Sequence, residues 1–353
     1  MRRLLAKALF AAALSLSLGL FASAASAPES HKALQIYFID VEGGQATLFV
    51  TPEGKSLLID TGWPGNNGRD ANRIAAAAKV AGVKKIDFVL ITHYHDDHVG
   101  GAPQLVARIP VGTFIDHGEN RETSDAGASR VFAAYQQLLS SGKYKHIIAK
   151  PGEVLPITGM QVRVVTADGG LIERPLPGGG GKENANCADA QKPPVDTTEN
   201  PRSLGTLITF GKLRILDFGD LTADKEMDLM CPMNKIGAVD IYIVSHHGSL
   251  QSGSAVLVHA ITPRVAIMDN GAKKGGSPSA WDVIEKAPGL EDLWQLHYSE
   301  EGRDEHNVAA TFLANLQGPD AGNYLKVMAS ADGSFEVFNS RTRETKKYAA
   351  KKN

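Results

Sequence analysis

The segment Thr92-His93-Tyr94-His95-Asp96-Asp97-His98-Val99-Gly100-Gly101 follows directly on the stretch 86–91, apolar but for Asp87. Three imidazoles and two carboxylates within six residues answer no packing need. An apolar stretch of this length reads as a strand buried on both faces. At its end residues two apart project together, so His93 and His95 can grip one divalent ion. The chain then turns, and Asp97 and His98 can face a second position. Imidazole and carboxylate donors suit zinc, with manganese or iron as substitutes. Such a centre needs ligands from elsewhere, so the fold has to bring other strand ends to this one.

Two further places offer them. Asp220 follows the stretch 213–219, and His246-His247-Gly248-Ser249 follows the stretch 241–244. Alone, Asp220 reads equally as a cap for a helix starting near Ala223, and His246 as a buried hydrogen-bonded histidine. Beside the first cluster both simpler readings weaken. Asp116-His117-Gly118 ends a stretch at 111–115 and reads equally as part of the same rim or as a turn. Lys273 and Lys274, with Ser249 and Ser277 near strand ends, could receive a phosphate. A solvated lysine pair is the commoner explanation.

The rest of the chain supports a layered α/β fold. Strands are expected at 34–41, 46–50, 56–59, 86–91, 204–210, 213–217, 241–245, 265–269, 325–329 and 334–338, and helices at 72–80, 129–139, 223–230, 279–285 and 308–316. Two groups of strands with helices between them predict a four-layer αββα sandwich over residues 30–345. Residues 167–202 break the pattern: Pro-Leu-Pro, then Gly178 to Gly181, then a polar stretch almost without large apolar side chains. A loop of this length reads as a lid or binding segment, or as a disordered insertion.

Arg2, Arg3 and Lys7 precede an apolar run to Phe21 and a small-residue tract, the pattern of a signal peptide, here 1–24. No later apolar stretch approaches the roughly 18 residues of a membrane span. The protein is therefore expected in the periplasm or secreted. The net charge is −2, and −5 for the 34 basic and 39 acidic residues beyond the signal, so no global basic footprint for nucleic acid exists. Cys187 and Cys231 could pair in an oxidising compartment, or remain two thiols.

These motifs together resemble the metallo-β-lactamase superfamily, whose HxHxDH signature is matched by His93, His95, Asp97 and His98. Asp60-Thr61-Gly62 is similar to its first acidic motif, Gly219-Asp220 to its bridging aspartate and Ser245-His246 to its final histidine. Phe38-Ile39-Asp40-Val41, Pro52-Glu53-Gly54-Lys55 and His246-His247-Gly248-Ser249 resemble the nuclease-like domain of the DNA-uptake protein ComEC. The resemblance implies one firm ion site from Asp97, His98, Asp220 and His246. It implies a weaker one from His93, His95 and Asp220. The family's remaining histidine is absent, and Asn200 stands nearest its place. Asp60 is expected to hold a ligating histidine from behind. Asp97, or Asp96, would orient water or take its proton, and His247 could donate to the leaving group. The implied activity is hydrolysis by activated water, on a phosphoester or phosphodiester. A β-lactam or lactone is the alternative electrophile, and a non-catalytic metal-bearing binding protein the alternative class.

Overall fold

The computed structural model describes residues 33–351; the expected signal segment 1–24 and residues 30–32 of the expected domain lie outside the described residues. Strand Leu34–Phe38 shows why the architecture is layered. Leu34, Ile36 and Phe38 enter one core, while Tyr37 and Ile39 enter another, and all are buried. Side chains alternate across a strand, so a strand buried on both faces, with Gln35 bonded to Tyr37 on one of them, is covered on both sides.

Among the described residues, nine strands form one sheet and eight another. The first runs through Leu34–Phe38, Thr47–Val50, Ser56–Ile59, Ile86–Leu90, Val111–Asp116 and Lys145–Ile148; the second through Asp292–His297, Val265–Met268, Ile241–Ile243, Leu213–Asp217, Gly205–Phe210 and Gln161–Ala167. Phe38, Phe49 and Ile59 of the first sheet share a core with Val162, Ile208 and Ile267 of the second. Helices Arg69–Val80 and Ala126–Ser140 cover the other face of the first sheet through Ile74, Ala78, Val131 and Tyr135. Helices Ala223–Met230, Ala255–Ile261 and Pro278–Glu285 cover the second through Leu229, Leu257 and Ile284. This is the αββα sandwich the sequence predicts.

Each sheet is antiparallel over one part and parallel over the other, and the strands that matter for the site lie in the parallel parts. Ser56–Ile59, Ile86–Leu90 and Val111–Asp116 run together in one sheet, and Leu213–Asp217, Ile241–Ile243 and Val265–Met268 in the other. Their carboxyl ends carry Asp60, the 92–98 cluster, His117, Asp220, His246-His247 and Asp269. Loops at the carboxyl ends of parallel strands are where open α/β sheets build ligand sites.

Two expectations need correction. The predicted helix at 308–316 is a single 3-10 turn, Ala310–Phe312, followed by strand Leu313–Asn315. Gln295 pairs with Leu313 and His297 with Asn315, so the sheet edge wins over weak helical periodicity. The disordered reading of 167–202 also fails. Cys187 is disulfide-bonded to Cys231, Asn184 Nδ2 donates to the carbonyls of Met230 and Val256, and Glu199 is fully buried. The loop is thus fastened to the body at its middle and at its end.

One buried acid ties two helices of the second outer layer. Glu226 accepts the backbone N–H groups of Gly253 and Ser254 at 2.8 Å each, just before helix Ala255–Ile261. Burial pushes its carboxyl up to about 7 from 4.5. Between those values the folded chain keeps a proton that the unfolded chain has released, so stability falls as pH rises through this window and levels off above it. Thermal melts from pH 4.5 to 8 are expected to show Glu226→Gln losing that part of the slope, on the order of 3 kcal/mol. An unchanged slope in the variant would contradict the assignment.

Candidate metal centre

Asp97, His98, Asp220 and His247 offer donor atoms that all lie within 4.8 Å of one another, and all four residues are buried. His98 Nε2 is 3.1 Å from Asp97 Oδ2, 3.3 Å from Asp220 Oδ2 and 3.1 Å from His247 Nε2. His247 Nε2 is 3.2 Å from Asp97 Oδ2 and 3.4 Å from Asp220 Oδ1. A tetrahedron of zinc–nitrogen and zinc–oxygen bonds of about 2.0–2.1 Å has edges of about 3.3 Å. Asp220 Oδ1 is buried and has no hydrogen-bond partner. Donor chemistry, spacing and this orphaned oxygen all fit a small divalent cation.

The partners behind the donors set their orientation. Asp60 Oδ2 lies 2.7 Å from His98 Nδ1 and also accepts Thr92 Oγ1–H at 2.6 Å, while Asp60 Oδ1 accepts the Thr92 N–H at 2.8 Å. The carboxylate therefore fixes the proton of His98 on Nδ1 and turns Nε2 inward, as second partners of ligating histidines commonly do. Asp60 has φ +60 and is fully buried, a strained left-handed residue held by these bonds. His246 and His247 are both left-handed as well, at φ 52 and 55. Their turn is pinned where the His246 N–H donates to Gly219 O and the Gly276 N–H to His247 O. Gly219 admits no side chain, since a Cβ there would stand 2.8 Å from Thr92 Cβ.

Two buried carboxylates dominate the electrostatics. Burial opposes the ionisation of Asp97, but Lys274 and His98 beside it hold its carboxyl well below the usual range. Burial likewise opposes Asp220, and His246, His98 and His247 hold it well below. Burial draws His247 down, yet Asp220 and Asp269 push it up to about 10. The carboxylates are thus matched by His98, His247 and Lys274 around them.

His93 and His95 form an adjoining pair. His93 Nε2 stands 3.0 Å from His95 Nδ1 and 3.9 Å from Asp220 Oδ2. His93 Nδ1 faces Thr92 Oγ1 at 3.1 Å, and His95 Nε2 faces Glu122 Oε2 at 2.9 Å. Those partners take the ring N–H groups, so the facing nitrogens present lone pairs. Glu122 Oε2 also accepts the Glu199 N–H at 2.8 Å, and Glu199 Oε2 lies 3.1 Å from His117 Nε2. The far end of the 167–202 loop thus reaches His95 through one carboxylate. Sequence reasoning singled out neither Glu122 nor Glu199, because an acid in a polar loop looks the same whether it is solvated or buried.

The other expected residues are placed as follows. His246 is set beside the four-residue group, with Nε2 3.3 Å from Asp220 Oδ2 and Nδ1 3.2 Å from Ser252 Oγ; His247 stands in the position expected of it. Consecutive left-handed residues turn the two rings apart, which no one-dimensional pattern reveals. Asp96 pairs with Arg130 at 2.9 Å on the surface and is not among the converging groups. Asn200 is buried with Oδ1 unpartnered, in the turn after Glu199. Ser277 caps helix Pro278–Glu285 and Ser249 bonds Gln251, so both hydroxyls are engaged within the protein. Lys273 lines a neighbouring cavity, and Lys274 pairs with Asp97. A second acidic group, Asp40, Glu42 and His297, is already compensated, for Arg73 Nη1 lies 2.9 Å from Asp40 Oδ2.

The model of the metallo-beta-lactamase superfamily matches residues 40–182. The chain is similar to a hydroxyacylglutathione hydrolase of Stenotrophomonas maltophilia, 29% identical over 105 residues, which covers 30% of this chain and 37% of the relative. It is similar to recombination protein 2 of Haemophilus influenzae, 24% identical, covering 67% of this chain and 24% of that protein. It is also similar to ComE operon protein 3 of Bacillus subtilis, 23% identical, covering 67% and 28% respectively. The aligned parts thus span between a quarter and two fifths of the relatives' lengths.

Removing the Asp60 carboxylate tests the geometry. Asp60→Ala is expected to lower zinc affinity about 10- to 100-fold, measured by competition with a chromophoric chelator. An unchanged affinity would separate Asp60 from the centre.

Proposed function

We propose that this chain, a member of the metallo-β-lactamase superfamily, is an exported zinc-dependent hydrolase of phosphoesters or phosphodiesters. The observation that carries the reading is the convergence of Asp97, His98, Asp220 and His247 at tetrahedral spacing, with the Lys274 ammonium at the same carboxylate. A divalent ion held by those four residues supplies Lewis-acid polarisation and water activation near neutral pH. His93 and His95, with Asp220, would hold a second ion.

The chain's own groups do the rest. Asp97 orients the attacking water; as the water oxygen bonds to phosphorus, the ester P–O bond breaks and the departing oxygen takes up the proton that the water gives up. Asp60 behind His98 Nδ1, and Asp269 facing His247 Nδ1 at 3.4 Å, keep the two rings aimed at the centre. Burial of the cluster keeps bulk water from competing for these donors. The choice of phosphorus as electrophile is supported by the cationic group at the centre and by the likeness to recombination protein 2 and ComE operon protein 3. Hydrolysis at a carbonyl, as in a lactam or lactone, is the second reading; the likeness to a hydroxyacylglutathione hydrolase, named for an acyl substrate, supports the carbonyl class over 30% of the chain. Export is supported by the basic and apolar N-terminal run and by the Cys187–Cys231 disulfide, a bond that persists in oxidising compartments. Among the described residues no helix is long and apolar enough to cross a membrane.

Zinc- or manganese-loaded protein is expected to hydrolyse bis(p-nitrophenyl) phosphate, with kcat lowered about 100-fold or more in Asp97→Asn. Turnover of lactams or lactones alone would move the second reading ahead, and metal binding without turnover on either class would favour a binding protein. N-terminal sequencing of protein from the periplasmic fraction is expected to begin just after Ala24; an intact Met1 there would remove the export reading.

A further inference from the structure

We propose that Lys274 is the group by which the centre recognises the negative charge of its substrate, a phosphoryl oxyanion, and that the cavity beside Lys274 receives the remainder of that substrate. The inference rests on the phosphoester reading and goes beyond it by naming the contact that selects anions.

Lys274 belongs to both places at once. Its ammonium pairs with the Asp97 carboxylate inside the cluster, yet its side chain keeps 35% of its exposure. The same nitrogen lies 4.9 Å from the centroid of the Trp63 ring. On its outer side a cavity of about 540 Å³ is walled by Trp63, Lys273, Glu42, Glu300, Leu316 and Asp320. That size suits a small organic ligand. Lys274 is the point at which the cavity and the donor cluster meet.

The position is built by the backbone. The Gly271 N–H donates to Lys274 O at 2.8 Å, the Gly276 N–H to His247 O at 2.8 Å and the Ser277 N–H to Gly248 O at 2.9 Å. A side chain on Gly43 would stand 2.8 Å from Lys274 Cβ, and one on Gly44 would stand 2.4 Å from Asp97 O. The segment carrying Lys274 is therefore wedged between the 42–44 turn and the His247-Gly248 turn. A lysine placed by chance on a loose loop would have no such fit.

Charge accounts for the role. Asp97 Oδ2 is approached by His98, His247 and Lys274 together. A carboxylate serving a divalent ion holds an ammonium less strongly, because the two cations repel. With an ion on Asp97, the ammonium, still tethered over Trp63, would turn to meet an anionic oxygen. Lysine binds phosphate as such a point charge. Lys273 lines the cavity, is exposed and has no ion pair among the described residues, so the two lysines are not equivalent.

The test uses inorganic phosphate as probe, titrated calorimetrically into the zinc-loaded protein. Lys274→Met keeps the aliphatic stem against Trp63, and Lys274→Arg keeps the charge. Phosphate affinity is expected to fall about tenfold or more in Lys274→Met, the loss of one charge-assisted contact. Zinc content by native mass spectrometry should stay at the wild-type value, and Lys274→Arg should recover most of the affinity. Equal phosphate affinity in wild type and Lys274→Met overturns the proposal. Loss of zinc from Lys274→Met overturns it too, because Lys274 would then serve only to assemble the cluster. Narrowing the cavity with Leu316→Trp should raise KM for bis(p-nitrophenyl) phosphate and leave phosphate affinity unchanged; an unaltered KM removes the cavity from the proposal. Absence of wild-type turnover on any phosphoester would instead sink the phosphoester reading, and the phosphate titration reads Lys274 independently of it.

Discussion

The buried carboxylate of Asp60 is the contact on which the centre depends. It accepts two bonds from Thr92 and faces His98 Nδ1, so it joins the end of strand Ser56–Ile59 to the loop after strand Ile86–Leu90. Without it the His98 ring has no reason to direct Nε2 toward the other donors. The bond carries a cost, since Asp60 is left-handed and fully buried, and burial alone pushes its carboxyl up. That cost is tolerated because three donors converge on one side chain, each strengthened by low dielectric.

The second requirement is that two sheets end in the same place. Asp60, Asp97 and His98 come from one, and Asp220 and His247 from the other, so the site exists only where the sandwich is closed. The shared core of Phe38, Ile208 and Ile267 sets the distance between the sheets. Close glycine contacts then bring the loops together: Gly219 against Thr92, and Gly44 against Asp97. Function here is built on loops that a rigid double sheet holds within ångströms of one another.

Much of this was legible in one dimension. Apolar runs with buried residues on both faces announced the layered α/β fold, and the 93–98 cluster after such a run announced a metal centre. Asp220 and the His246-His247 pair were visible as polar residues at strand ends, and Asp60 through the resemblance of Asp60-Thr61-Gly62 to the family's acidic motif. Other features were not. The strand Leu313–Asn315 looked helical because its neighbours share a helix-like spacing, and only pairing with Asp292–His297 decides otherwise. Glu122 and Glu199 carried no signal, since burial of an acid depends on a partner histidine brought from far along the chain.

The sequence by itself determined the kinds of donor, their place at the ends of apolar strands and the family of folds that can gather them, because residue type and period act locally. Tertiary structure alone decided which atoms converge. It set His247 rather than His246 among the four donors, turned Asp96 out to Arg130, and drew Lys274, but not Lys273, to Asp97. The reason is physical: a left-handed turn or a glycine contact rotates neighbouring side chains apart, and adjacency in sequence does not encode that rotation.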